Sequence, residues 1–428
     1  MDLNYREKGD KLYEEGRFSE AYEEYKQMLH EEGVKLTPRF NNRLLACARK
    51  SKKLENRFHA FDLMVGISEE HFDLENYGIE DFKNENALTY LWLLYDLIKE
   101  DGFSANLYLN EVLSYLDCFR DKKYCYFLAK LLFKNQAVNK KLLKEFVDKL
   151  DYREYSKELQ NQDGKTLASE HEQLGYGMAK FYFEIEEYDK ADSICEDLLE
   201  LPYRESKYRP FILNLQSEIN LAKKDYKKAL EKKNAALEIK EDWFLYHQLG
   251  RIHLEMGNAE LAGKYFSFAL VKNRQNLGFL NKLLSDMREL YSEIGAGELV
   301  LLIDSLLYYE RKKNNWSVSP ELESAEKLQI TRENFQKHYR DFRKEVKEIL
   351  KKKFLPSKKE GIIKNINGEK RFGFVEDGTG KTHHFSTNSL LDDPRDLTPG
   401  VRVYFELKER FNPKKGIQEN TCEYVIKI

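Results

Sequence analysis

Along most of the chain apolar side chains recur every three or four residues, and near Gly361 that period gives way to alternation. Between Asn4 and Leu29 the positions Gly9, Leu12, Gly16, Phe18, Ala21 and Tyr25 describe two short amphipathic helices joined by a tight turn at Gly16. The layout recurs in Tyr246, Leu249, Gly250, His253, Gly257, Ala262, Phe266 and Ala269. Before it stand Leu213, Ser217, Tyr226, Ala229 and Ala236, and earlier still Ala179, Tyr182, Tyr188, Ala191 and Leu198. Small residues at such offsets let paired helices approach closely, with Phe266 filling the gap beside Gly250 and Ala262.

Ala229 and Ala262 lie 33 residues apart, near the period of about 34 that marks tetratricopeptide repeats. The four segments resemble that family, which implies stacked helix pairs offering a surface to a protein partner. His253 and Cys195 depart from its pattern, each standing where an aromatic is usual. From Phe40 to Gln160 the helical period continues without the small residues, so degenerate helix pairs are expected, followed by a turn at Asn161 to Gly164. Helices at Phe279 to Ile294 and Leu299 to Tyr309 should extend or cap the stack. Phe335, Tyr339, Phe342, Val346 and Ile349 share one face of a further helix, which Pro356 should end.

From Gly361 five short apolar runs are separated by Gly, Pro, Asp and Asn, and five strands in so short a segment predict a small closed barrel. The run GIIKNINGEKRFGFVEDG, with the later His384, Phe385 and Ser386, resembles the cold-shock domain, an OB-type barrel whose first three strands form a nucleic-acid platform. Phe372 and Phe374 are two apart in a strand and point to one face, where exposed rings would stack on unpaired bases. The alternative is that both rings are core. Lys364, Lys370 and Arg371 would meet phosphates. The candidate nucleic-acid-binding residues are therefore Lys364, Lys370, Arg371, Phe372, Phe374, His384 and Phe385. Asn365, Ile366 and Thr382 stand where the family has aromatics, which predicts weaker binding than is typical of it.

The chain is thus expected to be multidomain. An all-α tetratricopeptide-like solenoid is placed over 1–310, a helical basic connector over 311–356, and a five-stranded cold-shock-like OB barrel over 357–428. Charge sharpens that division. Between Lys337 and Lys359 ten Lys and Arg face three Asp and Glu, a local +7, while the whole chain carries −3. Residues 360–428 are neutral, which leaves −10 on the first 336.

Composition adds exclusions. With 41% hydrophobic and 13% aromatic residues, the 428-residue chain has enough apolar side chains to fold. No apolar run reaches the roughly 18 to 20 residues that span a bilayer. The opening Met-Asp-Leu-Asn-Tyr-Arg-Glu lacks the basic and then apolar start of a secretion signal, so a cytoplasmic location is expected. Cys47, Cys118, Cys125, Cys195 and Cys422 are too scattered for a zinc cluster and should be buried thiols. No familiar catalytic motif occurs, and His383 and His384 point to opposite faces of a strand. No cofactor, metal or enzymatic role is expected. The functional expectation is an adaptor that binds single-stranded RNA or DNA by its barrel and a protein partner by its helices. The alternative is a protein scaffold whose barrel has lost nucleic-acid binding.

Overall fold

The computed structural model describes residues 5–30, 34–100, 104–116, 121–135, 137–203, 205–273, 277–355, 357–412 and 417–428. Cys118, Pro356 and most of the turn expected at 412–416 lie outside them. Two compact units result, Met1–Arg209 and Pro210–Ile428, and the division falls at neither 310 nor 356.

The first unit pairs Tyr5–Glu14 with Phe18–Met28, Pro38–Ser51 with Leu54–Val65, Ile79–Ile98 with Ala105–Leu116, and Glu170–Glu184 with Tyr188–Leu199, while Lys122–Leu132 packs on Glu170–Glu184 and Lys140–Val147 on Ala105–Leu116. Between Lys140–Val147 and Glu170–Glu184, β1 (Gln160–Gln162) and β2 (Lys165–Leu167) make a small hairpin whose turn residues Asp163 and Gly164 are left-handed. The second unit begins at Pro210, within the helix Arg209–Ala222, which lies against Tyr226–Ile239, then come Trp243–Glu255 against Ala259–Lys272 and Asn281–Glu293 against Gly297–Lys313.

Five of these hairpins close identically. Gly16, Glu186, Lys224, Gly257 and Gly295 take positive φ, and the next amide donates to the carbonyl five residues back, as Arg17 does to Leu12 and Asn258 to His253. This is the bond that caps a helix through a left-handed residue. Seven residues before each turn the two helices cross, against a side chain sixteen residues further on. A Cβ added to Gly9 would lie 2.3 Å from the Tyr25 ring, and one added to Gly250 would lie 2.4 Å from Phe266. Both units are therefore built from tetratricopeptide-like helix pairs.

Two crossings use polar chemistry instead. In the pair from Asn281 to Lys313 the small residue is replaced by Arg288, whose guanidinium grips the buried Asp304 carboxylate at 2.5 Å. In the pair from Arg209 to Ile239, Ser217 crosses beside Lys233, which is only 1% exposed. Its ammonium donates to Asn214 Oδ1 at 2.5 Å and Gln248 Oε1 at 2.8 Å. Burial pushes Lys233 from the ordinary 10.5 down to about 8, opposed by Glu218 and aided by Arg251.

Between those two values the unfolded chain binds more protons than the folded one, so the Lys233 contribution makes stability rise with pH from about 8 upward. Above the ordinary tyrosine value of 10.0, buried hydroxyls such as those of Tyr246 and Tyr291, pushed up by burial, act in the opposite sense. The denaturation midpoint should therefore climb between about pH 8 and pH 10 more steeply in the wild type than in Lys233→Met. Equal slopes would mean that this ammonium is not desolvated.

After the helix pairs, Phe335–Ile349 and a π-helical turn, Leu350–Phe354, bury Phe342, Val346, Leu350 and Phe354 in the helical core. The fit is tight at Phe354, whose ring occupies the place a Cβ on Gly263 would take, 2.3 Å away. The basic segment is thus one face of a packed helix.

The barrel comprises β3 (Lys359–Asn367), β4 (Phe372–Asp377), β5 (Thr382–Ser386), β6 (Arg402–Asn412) and β7 (Ile417–Lys427), closed in the order β3-β4-β5-β7-β6. Only β5 and β7 run parallel. Its interior holds Ile363, Val375, Phe385, Val403, Phe405, Cys422 and Val425. A second set of barrel side chains, including Leu391 and Ile426, belongs to the helical core of the same unit. There the Tyr424 ring stacks on Phe268 with centroids 4.0 Å apart, and Lys264 pairs with Glu406 at 2.5 Å, both only slightly exposed. The barrel is docked on the helices through β6, β7 and the segment after β5.

Candidate nucleic-acid interface

Strand alternation decides what the barrel presents. Pairing aligns Asn365 with Phe374 and His384, and Asn367 with Phe372 and Ser386, across β3, β4 and β5. A bulge between Ile363 and Asn365 shifts this register and turns Ile366 toward the barrel core. The outer face therefore carries three rings in mutual contact. Phe372, Phe374 and His384 have centroids 5.7 Å apart in each pairing, with Phe372 and His384 inclined by 29° and both other pairs edge to face. Both Phe rings are half-buried and His384 is exposed. Neither Phe belongs to the barrel core.

Phe385 is a correction to the expected site. It is 0% exposed, and its ring fills the space under Gly373, where an added Cβ would lie 2.3 Å from Phe385 Cζ. Glycine between the two outward rings is thus needed to admit an inward one. Its neighbour His383 is also buried, with Nε2 2.8 Å from Asp377 Oδ2. Asp377 further accepts from the Thr379 hydroxyl and from the amides of Thr379 and Lys381. The Thr379 hydroxyl first, and then His383, hold that carboxyl far below the usual carboxylate range. His383 pins the β4–β5 turn.

The cations differ among themselves. Lys364 is exposed but paired with Glu376 at 2.9 Å, so part of its charge is offset on the same face. Lys370 and Arg371 are exposed in the turn before Phe372 and make no ion pair among the described residues. Arg371 is left-handed, with φ 55°, and its carbonyl accepts from the Thr387 amide at 3.0 Å. Thr382 and Glu376 pair beyond the rings, and neither adds a stacking surface. The result is a compact patch of three rings flanked by two unpaired cations. It suits one or two unpaired bases and their phosphates.

Other expected features find different places. Cys47, Cys125, Cys195 and Cys422 are buried thiols outside any disulfide, and burial pushes both Cys47 and Cys422 up to about 12, out of the reactive range. Among the described residues no helix is long and apolar enough to cross a membrane.

No protein-family model matches the chain, and no curated protein does. Among solved structures it is similar to BtubC (BKLC) from P. vanneervenii, at 16% identity over 61% of this chain and 99% of that one, with a TM-score of 0.37. It is also similar to the apo form of RapI, at 14% identity over 82% and 98% with a TM-score of 0.36. The APC/C hetero-tetramer Cut9-Hcn1 follows at 15% identity over 81% and 75%, with a TM-score of 0.27. At such scores the likeness assigns this chain neither a site nor a partner.

Proposed function

We propose that this chain is a non-enzymatic, cytoplasmic adaptor whose barrel binds single-stranded RNA through Phe372, Phe374 and His384, while its tetratricopeptide-like helix pairs hold a protein partner. The observation that carries the reading is the way the barrel docks. Contact with the helices uses β6, β7 and the segment after β5, while Phe372, Phe374 and His384 belong to neither the helical nor the barrel core. Stacking on rings is tolerant of sequence, so the expected ligand is defined by being unpaired rather than by its bases.

The second reading, a protein scaffold with a silent barrel, has an observation of its own. The barrel shares a hydrophobic core with the helices and would serve there even without a ligand. Competition separates the two. A labelled single-stranded RNA bound at about 50 mM salt should be displaced by unlabelled single strand and far less by the same sequence as a duplex. Equal displacement by duplex would reduce the interaction to charge alone, and absence of binding would favour the scaffold.

A further inference from the structure

The ring patch does not end at the barrel. Phe372 pairs with Ser386, and the next residue, Thr387, both holds the Arg371 carbonyl and lines a cleft of about 1280 Å³ within the second unit. One wall of this cleft is the helix Phe335–Ile349 and its π-helical continuation, which present Arg340, Lys344, Lys347 and Lys351 at spacings of four, three and four on one stripe, with Arg343 beside it. From Arg340 to Lys347 that stripe runs for about 10 Å at about 1.5 Å per residue.

Not all of these charges are available. Lys347 is held by Asp392 and Lys351 by Glu348, each at 2.5 Å. Across the cleft Asp393 and Asp396 flank Arg395. Arg343 donates to the Val271 carbonyl at 2.7 Å and lies over the Tyr339 ring. Arg340 and Lys344 are exposed and make no ion pair among the described residues. The same cleft is lined by two ring surfaces, Trp243 and Tyr339, both partly buried. Unspent cations beside partly exposed rings are the chemistry of a single-strand track.

We infer that a single strand bound on the ring patch continues past Arg371 and Thr387 into this cleft, where its phosphates meet Arg340 and Lys344. The inference rests on the ring-face reading above and extends the footprint beyond the barrel. A strand of about four nucleotides would cover the barrel alone, whereas one of about twelve would reach the helix.

The test uses the full chain with labelled oligouridylates of those two lengths, and oligothymidylates as a DNA arm. The variant Arg340→Gln with Lys344→Gln should bind the short oligonucleotide as the wild type does. It should bind the long one more weakly, with the plot of log K against log salt flattened by about 1.4, or about 0.7 for each phosphate left without its cation. Reversal to Glu at both positions should deepen the loss for the long strand only. Unchanged slopes for both lengths in both variants, with Phe372→Ala still weakening both, would overturn the track and leave the ring-face reading standing. Equal weakening of both lengths would also overturn it, because the charges would then act as a general field. If the wild type binds neither length, the two ideas fall together.

Discussion

Phe385→Ala should lower the unfolding free energy of the second unit by about 3 to 5 kcal/mol, the usual cost of emptying a large buried aromatic site. The ring is 0% exposed in the barrel core with Ile363, Val375, Val403 and Phe405. It is also pressed beneath Gly373, which has no side chain to fill the space it leaves. Denaturant unfolding of the variant checks this, preferably followed by a signal from the barrel. A change within about 0.5 kcal/mol would mean that the ring lies outside, on the binding face. The outward Phe372 is predicted to behave in the opposite way, with a small effect on stability and a large one on binding.

The error over Phe385 is instructive because the sequence contained its remedy. Alternation places Phe372 with Phe374, and the same rule places His384 on the face opposite both His383 and Phe385. Motif order grouped His384 with Phe385, and strand geometry separates them. The bulge at Ile363 to Asn365 is different, since nothing in the residue pattern announces a register shift there. That bulge decides that Asn365 lies beside the rings while Ile366 faces the core.

The helix pairs were legible where size carried the signal. Gly9 with Tyr25 and Gly250 with Phe266 mark close crossings in sequence and in space. The pair from Asn281 to Lys313 was legible only as helices, because its crossing is made by Arg288 and Asp304, residue types that ordinarily read as solvated surface. Lys233 was invisible for the same reason. It occupies a position that is aromatic in two sister pairs, and only its partners Asn214 and Gln248 make its burial tolerable.

Charge misled in a related way. A balance of +7 across Lys337 to Lys359 reads as a connector, although the apolar stripe through Phe342 and Val346 had already marked a face that needed burial. Both features belong to one helix. Its apolar side closes the helical core, and its basic side walls the cleft.

The second large effect is on binding. Replacing Phe372 and Phe374 together by alanine removes both phenyl platforms and leaves Lys370, Arg371 and the helix cations in place. At about 1 to 3 kcal/mol per stacked base, the loss should reach about 2 to 6 kcal/mol if each ring holds a base of its own. It should persist across salt concentrations, because stacking releases no counterions, and the salt slope itself should stay unchanged.

The most direct measurement is therefore fluorescence anisotropy of a labelled single-stranded RNA with the full chain, for the wild type and the Phe372→Ala, Phe374→Ala variant, at about 50 mM and about 200 mM salt. The account predicts binding by the wild type and a constant loss of at least about 2 kcal/mol in the variant at both concentrations. Equal binding by the two proteins, or no binding by either at the lower salt, would contradict it.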